Sequence, residues 1–118
     1  HLVMVTKYRR KAITNEMLEL LRVIFQETLE KWHSELIEFN GEADHVHLLF
    51  QTNPTVQLSK LVNNLKTVSS RLIRRDFRER LKHIYWKPVF WHRSYCLITA
   101  GGATIEIMRK YIEEQGSD

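Results

Sequence analysis

Only one cysteine, Cys96, occurs in the 118 residues, so no disulfide can close within the chain. It lies in an apolar stretch and reads as a small buried hydrophobe of a reducing, cytoplasmic compartment. No apolar run approaches the roughly 18 residues needed to cross a bilayer, so no membrane partner is expected. No secretory signal is visible, and the chain opens inside what reads as a strand, so residues before His1 are expected. Repeats, linkers and low-complexity tracts are also lacking. One domain over 1–118 is therefore the expectation, long enough to bury a real core and too short for two.

What is present is unevenly charged. Lys and Arg outnumber Asp and Glu by 18 to 14. Lys7, Arg9, Arg10 and Lys11 cluster near the start, and Lys66, Arg71, Arg74, Arg75, Arg78, Arg80 and Lys82 crowd a second stretch. Acidic residues gather instead at 16–44 and 106–118. Such asymmetry fits a phosphate-binding face, with Lys7, Arg9, Arg10, Arg71, Arg74 and Arg75 as candidate phosphate contacts. Charge alone fits solvated helix surfaces equally well.

Residues 2–8 are β-branched and apolar and read as a buried strand. Thr14 is placed to cap a helix over about 15–33, in which Leu18, Leu21, Phe25, Leu29 and Trp32 recur at helical spacing. Strands follow at 35–40 and 45–51, with Gly41 as a turn residue between them. A long amphipathic helix is predicted over about 55–81, then an aromatic-rich strand over 89–99. A Gly101-Gly102 turn leads into a last helix over about 103–115, capped near Thr104. The order predicts an α+β, ferredoxin-like (RRM-like) antiparallel sheet, βαββαβ, followed by a C-terminal helix. That architecture hosts many unrelated activities.

Two constellations carry chemistry. His45 and His47 are two apart on a strand, so both imidazoles point one way, with Cα atoms roughly 6.5–7 Å apart. Their nitrogens can converge on one divalent ion. Asp44 is expected on the opposite face. On the last helix, Tyr111 and Gln115 are four apart and share a face. A phenol with a pKa near 10 attacks a phosphodiester only with help from a metal, and Gln115 offers an oxygen that a hard cation accepts. The bland alternatives are core or surface histidines, an edge tyrosine and a solvent-exposed glutamine. His1, His33, His83 and His92 have no partner at metal spacing and are given no catalytic role.

Taken together, several segments resemble the single-tyrosine HUH transposases of small bacterial insertion sequences. They are HLVMVTKYRRK at 1–11, DHVHLLF at 44–50, LVNNLKTVSSR at 61–71 and FWHRSYCLITAGGATIEIMRKYIEEQ at 90–115. The resemblance runs the length of the chain, and His45-Val46-His47 matches the motif for which the group is named. His92-Arg93 departs from it, since smaller or uncharged residues are common there. The resemblance implies a metal-dependent transposase that nicks and rejoins single-stranded DNA at hairpin-marked element ends. Tyr111 would be the nucleophile, forming a 5′-phosphotyrosine and releasing a 3′-hydroxyl. His45, His47 and Gln115 would hold Mg²⁺ or Mn²⁺, and no nucleotide cofactor is needed. It also implies a homodimer in which one subunit's tyrosine helix can complete the other's site. Two alternatives share the fold: a domesticated hairpin-processing HUH nuclease, and a non-catalytic nucleic-acid-binding domain that stacks bases on sheet aromatics.

Overall fold

The computed structural model describes residues 1–102 and 105–115. Strand β1 (Leu2–Val5) leads through a 3₁₀ turn at Lys7–Arg9 to helix α1 (Asn15–Lys31). Then come β2 (Glu35–Gly41), β3 (His45–Gln51), α2 (Leu58–Asp76), the short α3 (Arg78–Leu81), β4 (Cys96–Leu97) and α4 (Ile105–Glu114). The sheet order is β2-β3-β1-β4 with every neighbouring pair antiparallel. This is the ferredoxin-like α+β arrangement that the order of elements predicts.

Local chemistry explains most boundaries. The Thr14 hydroxyl accepts from the Met17 N–H at 3.2 Å, capping α1 at its expected start. The helix ends at Lys31, and His33 takes a left-handed conformation at φ 56° just beyond. The predicted 55–81 helix is two: the chain breaks at Phe77 (φ −122°, ψ 35°) after Arg74 and Arg75, whose charges suit a helix C-terminus.

Alternation along β3 sorts the two faces of the sheet. Val46 and Leu48 are fully buried and join Leu2, Met4, Met17, Leu21, Phe25, Leu61 and Leu65 in the core beneath α1 and α2. His45 and His47 therefore face away from that core. Opposite them across the ladder stand Val5 and Val3, also buried, because α4 covers this second face. Gly41 is tied to this geometry by space rather than by a turn conformation. A Cβ there would fall 2.5 Å from the Leu18 side chain and 3.2 Å from the His45 carbonyl oxygen.

The predicted strand at 89–99 forms only in part. Trp91 bridges Thr6, and pairing resumes only at Cys96–Leu97. Between them the register to β1 shifts by two residues, and Phe90 and Trp91 turn into the core instead. Their rings meet edge to face at 4.7 Å, and the indole N–H donates to the Ser69 hydroxyl at 2.9 Å. Burial of that aromatic pair competes with ladder extension and wins. Cys96 is half-buried rather than buried, and burial raises its thiol pKa. The predicted cap near Thr104 lies outside the described residues. Among the described residues no helix is long and apolar enough to cross a membrane.

Candidate active site

His45 and His47 line a cavity of about 380 Å³ between the open sheet face and α4. Val3, Arg9, Glu42 and Asp44 complete its sheet side, and Ile105, Met108, Arg109, Ile112 and Glu113 contribute from the helix. Burial lowers the His47 pKa, so its imidazole is neutral at physiological pH and ready to donate a lone pair. Its Nε2 lies 2.7 Å from Nδ1 of His1, and the two rings stack with centroids 4.9 Å apart.

The expectation for Asp44 fails. It sits in the bend before β3, where strand alternation has not begun, and its carboxylate turns toward the histidine face. Oδ1 lies 2.8 Å from Nδ1 of His45, and Oδ2 pairs with Nε of Arg9 at 3.2 Å. Glu42 approaches the other ring nitrogen of His45 at 3.6 Å. Ligand atoms of Glu42, Asp44 and His45 all lie within 4.8 Å of one another. Two imidazoles on one strand face, His45 backed by two carboxylates, form a donor set that suits a divalent cation, so the chemistry of the site fits a metal.

Tyr111 is on α4 as expected, Gln115 falls in the turn just past its end, and neither lines this cavity. The Tyr111 hydroxyl lies 2.8 Å from Ser94 Oγ, and Ser94 Oγ lies 2.9 Å from Nδ1 of His92. The Gln115 side-chain amide donates to the Tyr111 carbonyl at 3.1 Å. The link back to the histidines runs through the backbone. His92 N–H donates to the Val5 carbonyl at 2.7 Å, and Val5 faces His45 across the β1–β3 ladder. Tyr111 is thus anchored beyond β1, two strand positions along the sheet from the histidine pair on β3.

The six candidate DNA contacts fall in three places. Arg9 belongs to the histidine cavity, held by Asp44 and reaching the Glu113 carbonyl at 3.4 Å. Lys7 and Arg10 lie over the Tyr8 ring, 5.3 and 5.4 Å from its centroid. Arg71, Arg74 and Arg75 line a separate cleft with α3, Lys82, Tyr85 and residues 87–89. Sequence reasoning missed Ser94, His92 and His1. The adjacent Ser94 and His92 carried a weak signal, since a buried histidine needs a polar partner.

Comparison with known proteins places the whole chain in a family. Residues 1–115 match the IS200-like transposase family. The chain is 31% identical over 115 residues to the ISDra2 transposase TnpA of Deinococcus radiodurans, covering 98% of this chain and 81% of that protein. It is 32% identical over 115 residues to the transposase for insertion sequence element IS200 of Salmonella typhimurium, covering 98% and 74%. A solved structure of a candidate transposase from Deinococcus radiodurans superimposes with a TM-score of 0.89 at 30% identity, covering 99% of this chain and 89% of that one. Sequence and fold agree: the chain belongs to the IS200-like transposases, enzymes that move DNA.

Proposed function

We propose that this transposase cuts and rejoins single-stranded DNA through Tyr111, at sites marked by hairpins. The observation that carries the reading is that α4, the helix bearing Tyr111, packs over the sheet face from which His45 and His47 project. The phenolic oxygen attacks phosphorus, and a bond from phosphorus to Tyr111 forms as the bond to the 3′ oxygen breaks. The 3′ oxygen takes up a proton and departs as a hydroxyl, while the phenol gives its proton to the Ser94 side. The phosphotyrosine keeps the bond energy, so rejoining needs only the reverse attack by a 3′-hydroxyl and no nucleotide cofactor.

His45 and His47, joined by Gln115, would hold Mg²⁺ or Mn²⁺, which would polarise the phosphoryl oxygen and offset the charge that develops on it. Gln115 reaches that position only if α4 re-docks or is supplied by a second copy, and we assign the completed site to a homodimer. Arg9 fixes Asp44, and Asp44 orients His45.

Incubation with a hairpin-bearing single strand and Mg²⁺ should yield a covalent protein–DNA adduct that survives denaturation. Tyr111→Phe keeps the ring volume and should abolish the adduct while leaving DNA affinity near normal. An adduct formed by the phenylalanine variant would exclude Tyr111 as the nucleophile.

A further inference from the structure

We propose that Trp86 is a stacking platform for one unpaired base of a DNA strand whose phosphates run along the basic cleft beside it. Trp86 is 87% exposed, more than any other large hydrophobic side chain among the described residues. An indole left almost wholly in water contributes nothing to the core, and its flat face is available to any base, since every base has a π-face.

Its surroundings specify the ligand. Lys87 lies 5.4 Å from the Trp86 ring centroid and 5.8 Å from that of Tyr8, joining the two rings. Lys87 also lines the adjacent cleft of about 370 Å³ with Arg71, Arg74, Arg75, Arg78 and Lys82, and no acidic residue is among the lining groups. Arg75 and Lys82 pair with Asp76 and Glu79 at 2.7 and 2.6 Å, but these are exposed pairs that a phosphate can displace at little cost. A second cleft of about 340 Å³ shares Arg74, Pro88 and Val89 with the first and adds Lys66, extending the track.

Tyr8, beneath Lys7, Arg10 and Lys87, holds a left-handed backbone at φ 59°, ψ 17°, and Arg9 follows at φ 51°. Two consecutive non-glycine residues in that region are strained, and such strain gathers at binding sites. An apolar protein surface seated on Trp86 would desolvate these cations without neutralising them. A nucleic acid strand supplies both the base and the negative charge. The cleft is built from α2, α3, Tyr85 and residues 87–89, on the helical side of the sheet, whereas the histidine cavity opens on the other face. The strand held here is therefore DNA flanking the cleavage point, not the scissile phosphate itself.

This inference rests on the single-stranded reading of the substrate, and the test separates the two. Short single strands carrying 2-aminopurine at successive positions are titrated with the full chain, following base fluorescence and anisotropy. One position should be quenched by stacking. Trp86→Ala should remove that quenching and weaken binding about 5- to 150-fold without changing the slope of log affinity against log salt. Trp86→Phe should retain most of both. Lys87→Ala and Arg74→Ala should each flatten the salt slope by about 0.7. Unaltered affinity and quenching in Trp86→Ala, with wild type binding the strand, would overturn the stacking role alone. Failure of the wild type to bind any single strand would overturn both readings. Loss of self-association in Trp86→Ala by sedimentation would show that a second copy, not a base, covers the indole.

Discussion

The hydroxyls of Tyr111 and Ser94 stand 2.8 Å apart, and the bonds around Ser94 fix the direction of that contact. The Ser94 backbone N–H donates to Nδ1 of His92 at 3.0 Å, so Nδ1 is an acceptor. The Ser94 hydroxyl, 2.9 Å from the same nitrogen, must then donate to it and accept from Tyr111. The phenol proton thus has a path through Ser94 to a buried imidazole. We predict that Ser94→Ala slows adduct formation by about 10²-fold, the lower end of what a positioned proton acceptor contributes. Mn²⁺ affinity should not change, and Ser94→Thr should restore much of the rate. An unaltered rate in Ser94→Ala would show that the contact only holds the ring in place.

Asp44 is placed to act on the proposed metal site through His45. A carboxylate oxygen 2.8 Å from Nδ1 holds the proton on that nitrogen and leaves Nε2 to face a ligand, while Arg9 fixes the other oxygen at 3.2 Å. Partners of this kind typically change metal affinity by about 10- to 100-fold. Asp44→Ala is expected to weaken Mn²⁺ binding within that range by calorimetry. Asp44→Asn should lose less, because its amide oxygen can still accept from Nδ1–H. Equal affinities across the three proteins would remove Asp44 from the site.

How far the sequence discloses this arrangement depends on the kind of signal each residue carries. His45 and His47 are legible because strand alternation is rigid: two residues on, the side chain returns to the same face. Asp44 is misread by the same rule, since it lies one residue before the strand begins and is free to turn back. The Tyr111–Gln115 spacing predicts a shared helix face, yet not which way the helix rolls when it docks. In this chain Met108 and Ile112 face the histidines, and Tyr111 is turned toward Ser94. The 89–99 strand fails because periodicity cannot weigh ladder bonds against burial of Phe90 and Trp91. Charge runs locate Arg71, Arg74 and Arg75 correctly on one stretch, but cannot show that Arg9 belongs to the opposite face.

Tyr85 supplies a pH-dependent test of the packing beneath the basic cleft. Its ring is buried and its hydroxyl donates to the Lys7 carbonyl at 2.7 Å. Burial pushes its pKa up to about 12 from the ordinary 10, so the fold favours the neutral phenol. The sign follows directly. Its contribution is complete below pH 10, the unfolded value, and is lost as pH rises from 10 to about 12. Urea unfolding midpoints for wild type and Tyr85→Phe should therefore converge between pH 9 and pH 11.5, with other titrations common to both proteins. Midpoints that stay a constant distance apart would show that Tyr85 ionises as an ordinary exposed phenol. A phenol held neutral to such high pH is also a poor nucleophile, which leaves Tyr111 without a rival from this position.

The final prediction concerns where the tyrosine helix does its work. In the single chain α4 lies across its own β1, with Ile112 and Met108 over the histidine cavity and the Arg9 guanidinium reaching the Glu113 carbonyl at 3.4 Å. That docking leaves the Gln115 amide on the Tyr111 carbonyl and the Tyr111 hydroxyl on Ser94, and neither side chain lines the histidine cavity. Ile105 remains 70% exposed and Ile107 46%, an apolar rim that a monomer leaves in water. Exchange of α4 between two copies would cover the rim and bring Tyr111 and Gln115 to a histidine pair from a different approach. A mixture of Tyr111→Phe subunits with His45→Ala, His47→Ala subunits distinguishes the two arrangements. If the helix works on its partner, a mixed dimer contains one site with both histidines and an intact tyrosine, and covalent adduct formation should return to roughly a quarter of the wild-type level by random pairing (half the dimers mixed, one of two sites active). If the helix works on its own subunit, every site lacks a component and the mixture stays inactive. Heterodimers shown to form without any adduct would rule out exchange, and would require α4 to roll in place to bring Tyr111 from Ser94 to the cavity.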